Sequence, residues 1–182
     1  TVAAGATSHY DGTTTPGVPQ DVADLTILMP ADDVGAVVKL IESRDDIAAV
    51  MFEPSGASWG QVPLPQGFIQ AVRDVTAKRG VVMLMDEVIT GFRWSSGGAQ
   101  KAFGITPDLC ILAKIVAGGL PGVAVAGKRE ILDLIDHAAT TAAKREKIAH
   151  PGTFNANPLS AAAAVTALSL LRDEDLAEKA NR

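Results

Sequence analysis

Apolar positions along the chain gather into short unbroken runs, separated by stretches with the spacing of one helix face. Residues 25–29 make a short apolar strand, and Asp32 is placed to cap a helix that runs to about Ser43. A second apolar run covers residues 47–52 and is bounded by Pro54 and Gly56. Phe68, Ile69, Val72 and Val75 repeat at helical spacing, and Gly80 closes that helix after Arg79. Residues 81–85, Val-Val-Met-Leu-Met, form a continuous apolar strand that ends on Asp86 and Glu87. Residues 109–113 form another that reaches Lys114, and residues 122–126 a further one, followed by a helix over residues 129–137. Asn157 and Pro158 have the chemistry of an N-cap and a first helical residue, opening a long alanine-rich helix. Strands without polar interruption, alternating with helices, predict an α/β fold: a mostly parallel sheet flanked by helices on both faces.

The first twenty residues read differently. Ser8, Gly12, three threonines, Pro16, Gly17 and Pro19 supply turn chemistry and no apolar period. Residues 168–182 read as an amphipathic helix without a glycine cap. The expected organisation is a loop over residues 1–20, an α/β domain over 21–157 and a helix over 158–182, within an internal piece of a longer protein.

Composition narrows the class. With 182 residues, 47% hydrophobic and 20% charged, the chain buries a core and is not disordered. A formal charge of −5 argues against nucleic acid or an anionic membrane surface as partner. No run approaches the ~18 apolar residues of a membrane span. Cys110 is the single cysteine, which excludes an internal disulfide and suits a reducing, cytoplasmic setting. His9, His137 and His150 show no ligand spacing with cysteine or carboxylate, so no metal site is expected. Lys144-Arg-Glu-Lys147 reads as a solvated helix face.

Three strand ends carry charge: Glu53, the pair Asp86 and Glu87, and Lys114. Parallel sheets bind ligands beyond the carboxyl ends of their strands, so the three converge where chemistry is expected. Lys114 is flanked by Leu112, Ala113, Ile115, Val116 and Ala117. Burial there would disfavour the ammonium and free the amine to attack a carbonyl, the signature of a Schiff-base lysine. A Schiff-base lysine with a strand-end carboxylate suggests pyridoxal phosphate, whose ring nitrogen stays protonated beside such an anion. Adjacent strand residues face opposite ways, so only one of Asp86 and Glu87 reaches a ring, and periodicity alone leaves open which.

Several blocks in order carry a family resemblance. Met85-Asp-Glu-Val-Ile-Thr-Gly-Phe-Arg93, Thr106-Pro-Asp-Leu109 and Leu112-Ala-Lys-Ile-Val-Ala-Gly-Gly-Leu-Pro121 resemble the central signature of class III aminotransferases. His150-Pro-Gly-Thr-Phe-Asn-Ala-Asn-Pro-Leu159 resembles the family's next block. Gly97-Gly-Ala-Gln100 and Pro16-Gly-Val-Pro19 are similar to the aminomutase branch. The resemblance covers nearly the whole chain. It implies the large, pyridoxal-phosphate-binding domain of the aspartate aminotransferase-like fold, truncated at both ends, with residues 1–20 part of a mobile active-site loop. Residues 158–182 would lead towards a small C-terminal domain outside this sequence.

By resemblance, Lys114 bonds the cofactor aldehyde and then moves protons at the substrate carbon, and Asp86 pairs with the ring nitrogen. Val88 would pack on a ring face. Gly152 and Thr153 would reach the phosphate of the neighbouring subunit, implying a homodimer. The sequence departs from the family at Ser58, which stands where an asparagine usually approaches the cofactor's phenolic oxygen. Glu53 and Trp59 are candidates for the substrate side. The implied substrate is a small amino acid, amine or amino aldehyde. The activity is amino-group transfer: within one molecule, as in the aminomutase branch, or from a donor to a 2-oxo acid. A non-catalytic relative is the remaining reading, and the presence of both Lys114 and Asp86 speaks against it.

Overall fold

The strongest periodic signal becomes the longest helix of the sheet-covering layer. In the computed structural model, which describes residues 2–4, 18–30, 32–55, 63–174 and 176–182, helix α3 spans Gln66–Arg79. It buries Phe68, Ile69, Val72 and Val75, and ends on Gly80 at φ +67, a left-handed turn that glycine adopts without strain. Helix α2, Val34–Ser43, lies beside it and buries Val37 and Ile41. Its cap is Asp33 rather than Asp32. The Asp33 carboxylate accepts the Ala36 N–H at 2.8 Å, so the helix starts one residue later than the pattern suggests.

Among the described residues, these helices pack on a six-stranded sheet. In chain order the strands are β1 (Val2–Ala4), β2 (Ile27–Met29), β3 (Ala49–Phe52), β4 (Val82–Asp86), β5 (Leu109–Leu112) and β6 (Ala124–Gly127). In space they run β2-β1-β3-β4-β5-β6, all parallel except β6, which is antiparallel to β5. The short helix α1, Gln20–Ala23, precedes β2, and α4, Gly98–Phe103, links β4 to β5. The strand Val2–Ala4 corrects the reading of residues 1–20 as loop. Three residues with two alanines carry no strand signal of their own, and they become a strand by pairing with β2 on one side and β3 on the other.

Burial alternates along the central strands. Val50, Phe52, Met83, Met85 and Cys110 join Val37, Ile41, Phe68, Ile69, Val72 and Ala99 in one core under α2, α3 and α4. The residues between them, Ala49, Met51, Val82, Leu84 and Asp86, are half-buried on the opposite face. The mostly parallel sheet flanked by helices is as the pattern predicts.

Beyond β6 the expected single helix over 129–137 is broken. Helix α5 spans Arg129–Leu132, a 3-10 turn covers Asp133–Ile135, and α6 spans His137–Ala142, capped by the Asp136 carboxylate on the Ala139 N–H at 2.8 Å. Helix α6 stops before Lys144, whose φ of +52 takes the chain out of helical geometry. The segment Lys144 to Lys147 is exposed, as expected of a solvated face, but is not helical. The alanine-rich helix forms as the pattern predicts: α7, Pro158–Glu174, with the Asn157 Oδ1 accepting the N–H groups of Leu159 and Ser160 at 3.1 Å. The terminal amphipathic stretch is the end of α7 followed by a separate helix α8, Leu176–Asn181.

One buried ion cluster ties the layers together. The Asp108 carboxylate accepts the Met83 N–H at 2.7 Å and pairs with Arg73 of α3 at 3.0 Å and Lys128 at 2.8 Å. Burial alone would push the Asp108 carboxyl up. The Lys128, Met83 and Arg73 hydrogen bonds outweigh that and hold it below the ordinary carboxylate value. A folded pKa below the unfolded one contributes stability at neutral pH that is lost as pH falls through the folded value. Asp108→Asn in the full-length protein is expected to cost about 2 kcal/mol at neutral pH by urea unfolding, and to flatten the acid limb of the stability profile below about pH 4. An unchanged unfolding midpoint across that range would contradict this account.

Candidate active site

Strands β3, β4 and β5 end side by side. Phe52 pairs with Met85, and Asp86 with Ile111, so Glu53, one residue past Phe52, stands level with Asp86. Lys114 comes three residues after Ile111 on the neighbouring strand. With about 4.8 Å between paired strands and at most about 3.3 Å per residue beyond Ile111, the Asp86 and Lys114 Cα atoms are no more than about 15 Å apart. This is the carboxyl edge of the parallel sheet, where such folds hold ligands.

The alternation of β4 assigns the two adjacent carboxylates. Met83, Met85 and Glu87 turn into the helix-covered core, whereas Val82, Leu84 and Asp86 lie on the half-exposed face. Asp86 accepts the Val88 N–H on its Oδ1 at 3.0 Å, a turn that braces the carboxylate from behind. Its Oδ2 has no hydrogen-bond partner among the described residues, and that oxygen is the acceptor available to a ligand. Val88, in the same turn, is half-buried. Glu53 is half-buried too, and its Oε1 accepts the Ser55 hydroxyl at 2.6 Å.

Lys114 opens a 3-10 turn, Lys114–Ala117, with φ +52. A left-handed conformation at a residue with a Cβ costs about 1–2 kcal/mol, and the surroundings must hold it. They do so through Val116 and Ala117, which are buried, and through Gly118, whose N–H donates to the Ile115 carbonyl at 3.0 Å. Gly118 has φ +63, and a Cβ there would collide with the Ala163 carbonyl of α7. The Lys114 side chain itself is exposed. This corrects the expectation of burial: the strand stops at Leu112, the chain turns, and its apolar neighbours bury themselves in place of the lysine.

Gly152 and Thr153 lie exposed in the loop before α7. The Asn155 N–H donates to the Gly152 carbonyl at 3.0 Å and the Asn155 side chain to the His150 carbonyl at 3.2 Å, folding the loop on itself. A cleft of about 630 Å³ runs between this loop, the 3-10 turn and α7, and its walls include Val116, Ala117, His150, Phe154 and Asn155. It brings the segment after Lys114 next to the segment around Thr153. A cavity of about 610 Å³ on the other face is lined by Glu87, Gln100 and Cys110, and by neither Asp86 nor Lys114. Burial pushes the Cys110 thiol up, which suits a packing role. Ser58 and Trp59, together with Pro16 and Gly17, lie outside the described residues.

Glu87 is the residue that sequence reasoning set aside. It is 1% exposed, and four donors fill its carboxylate. Oε2 accepts the Thr90 hydroxyl at 3.0 Å and the Ala99 N–H at 2.5 Å. Oε1 accepts the Gln100 N–H at 3.3 Å and the Gln100 side-chain amide at 2.8 Å. The signal in the sequence was Gly97-Gly98, because a Cβ at Gly98 would collide with the Glu87 Oε2.

The Aminotransferase class-III family matches residues 15–182 of the chain. A glutamate-1-semialdehyde 2,1-aminomutase of Ignicoccus hospitalis is 39% identical over 180 residues, which is 98% of this chain and 41% of that protein. The crystal structure of an omega-transaminase from Sphaerobacter thermophilus superposes with a TM-score of 0.78 at 38% identity, over 86% of this chain and 35% of the other. A transaminase with PLP bound superposes with a TM-score of 0.80 at 27% identity, over 93% and 43%. The chain thus spans about two fifths of the length of the curated relatives it matches.

Proposed function

This chain belongs to the class III aminotransferase family, and from that membership we propose that the full-length protein transfers amino groups with pyridoxal phosphate, as an aminomutase acting on a small amino aldehyde. The observation that carries the reading is the register of β4 and β5: Asp86 pairs with Ile111, and Lys114 follows three residues later at the same carboxyl edge. The donor set suits the cofactor: a carboxylate for a ring N–H, a primary amine for an aldehyde, and a hydroxyl with backbone N–H groups for a phosphate.

Bound there, the cofactor supplies a carbonyl that takes up the substrate amine and a protonated ring that accepts an electron pair. The remaining work falls to side chains of the chain. Asp86 would hold the proton on the ring nitrogen through Oδ2, while Val88 N–H fixes Oδ1. Lys114 Nζ would anchor the aldehyde and, once the substrate amine has displaced it as the free amine, would remove a proton from the carbon bearing the amine and return it at the acceptor carbon. Val88 covers one ring face and keeps water from it. Ser58 donates to the phenolic oxygen, and Glu53 and Trp59 border the substrate.

Gly152 and Thr153 reach the phosphate in a partner copy, so each site is completed by a two-fold dimer. Support for the dimer comes from Phe154, Leu159 and Val165, which are 82%, 69% and 66% exposed beside that loop. The setting is cytoplasmic: the one cysteine is buried and unpaired, and among the described residues no helix is long and apolar enough to cross a membrane. In this proposal residues 21–157 are part of the cofactor-binding domain, and residues 158–182 lead on to a small C-terminal domain.

The second reading is an intermolecular transaminase. It is favoured by the likeness to an omega-transaminase, while Ser58, where the family usually has asparagine, weakens the assignment to the aminomutase branch. Incubating the full-length enzyme separately with glutamate-1-semialdehyde alone and with an amine plus pyruvate decides between the two. Formation of 5-aminolevulinate without an added acceptor is the expected result. Turnover only in the amine-plus-pyruvate arm selects the transaminase, and turnover in neither arm rejects both.

A further inference from the structure

We propose that Glu87 is a positioning residue for Asp86: its buried carboxylate ties the start of α4 to the end of β4 and so fixes the turn that aims Asp86 at the open face. The inference rests on the assignment of Asp86 to the cofactor ring. A carboxylate 1% exposed is costly unless every lone pair is engaged, and this one is engaged four times. Its donors are a hydroxyl, two backbone N–H groups and a side-chain amide, none of them charged. Two of the four are N–H groups of α4, which has no side-chain N-cap of its own: Gly97 precedes it. Glu87 therefore does for α4 what a capping carboxylate does, but from the end of a neighbouring strand.

The consequence passes to Asp86 through the backbone. Glu87 N–H donates to the Ile111 carbonyl at 2.9 Å, and its carbonyl accepts Gly91 N–H at 2.8 Å. Together with the Thr90 hydroxyl on Oε2, these bonds pin both ends of the 87–91 turn. Val88 lies inside that turn, and its N–H is the group that braces Asp86 Oδ1. The two carboxylates face opposite sides of the sheet, so Glu87 touches no ligand on the Asp86 face. The glycine at 98 belongs to the same device, since any Cβ there would displace the carboxylate.

The test uses the full-length protein with Glu87→Gln, which keeps the shape but turns an acceptor into an NH2 group facing N–H donors. In the cofactor-free protein, hydrogen exchange at Val88, Ala99 and Gln100 is expected to accelerate together, by about tenfold or more. In the holoenzyme, kcat is expected to fall about 10- to 100-fold with KM within about threefold, the usual effect of removing a buttress behind a working group. The absorption bands of bound cofactor are expected to shift in the direction given by Asp86→Asn.

Thr90→Val and Gln100→Met each remove one donor and keep the charge. They are expected to give smaller changes of the same sign, and they decide the matter if Glu87→Gln does not fold. Faster exchange at Ala99 and Gln100 with Val88, the spectrum and kcat unchanged means that Glu87 serves α4 alone, and the proposal falls. If Asp86→Asn itself leaves spectrum and turnover unchanged, the ring-nitrogen assignment fails and takes this inference with it. A responsive Asp86→Asn beside a silent Glu87 set overturns this inference only.

Discussion

Reducing the full-length holoenzyme with borohydride is expected to fix the cofactor covalently on the peptide that carries Lys114, and Lys114→Ala to lower turnover by about 10⁴-fold or more. The loss would be large because, under the proposed function, one amine has two tasks, holding the aldehyde and moving the proton. Two other lysines near the sheet provide an internal control. Lys101 Nζ donates to the Ser96 hydroxyl at 2.9 Å, and Lys128 is bound to Asp108 at 2.8 Å at the other end of β5. Neither stands at the carboxyl edge of a parallel strand. Peptide mass mapping that finds the tag on Lys101 or Lys128 refutes the assignment.

The second large effect is expected from Asp86→Asn. The amide keeps the size of the side chain and its acceptor for Val88 N–H, so cofactor attachment at Lys114 should survive. Under the proposed function, what is lost is the negative charge that keeps a ring nitrogen protonated, and with it the stabilisation of charge released at the substrate carbon. Deprotonation should slow by about 10³-fold, equivalent to about 4 kcal/mol of barrier. Single-turnover measurement of loss of the substrate's carbon-bound hydrogen reads this step directly. Near-normal rates in that variant would exclude the ring-nitrogen role for Asp86.

Much of this arrangement was legible in the sequence, for identifiable reasons. Strands β3, β4 and β5 are unbroken apolar runs because the helix-covered face needs Val50, Met83 and Cys110, while the other face is still half-buried. Helix α3 was legible because four apolar residues share its inner face and Gly80 ends it. Strand β1 was not, since its pairing partners lie 25 and 48 residues away, at Ile27 and Val50, and supply what Val2–Ala4 lacks. The break between α5 and α6 escaped notice because it depends on Asp136 turning its carboxylate back to cap Ala139.

The strand-end pattern picked out Asp86 and Lys114, which do lie at or just past the ends of β4 and β5, but misjudged the lysine's environment. Composition around position 114 reports how much apolar surface is nearby, not which side chain the turn carries inward. Glu87 was passed over for a related reason. Its four bonds reach to residues 90, 99 and 100 across a turn and a helix start, and no local spacing rule encodes that reach.

The contact between Gly118 and Ala163 has a mechanical meaning. Main chain meets main chain there, with no side chain between to flex and absorb a displacement. The turn that opens at Lys114 and the 17-residue helix α7 are therefore in direct contact at this point. A tilt of α7 would press directly on the turn that opens at Lys114, so under the proposed function a helix remote from substrate bears on the position of the reacting nitrogen.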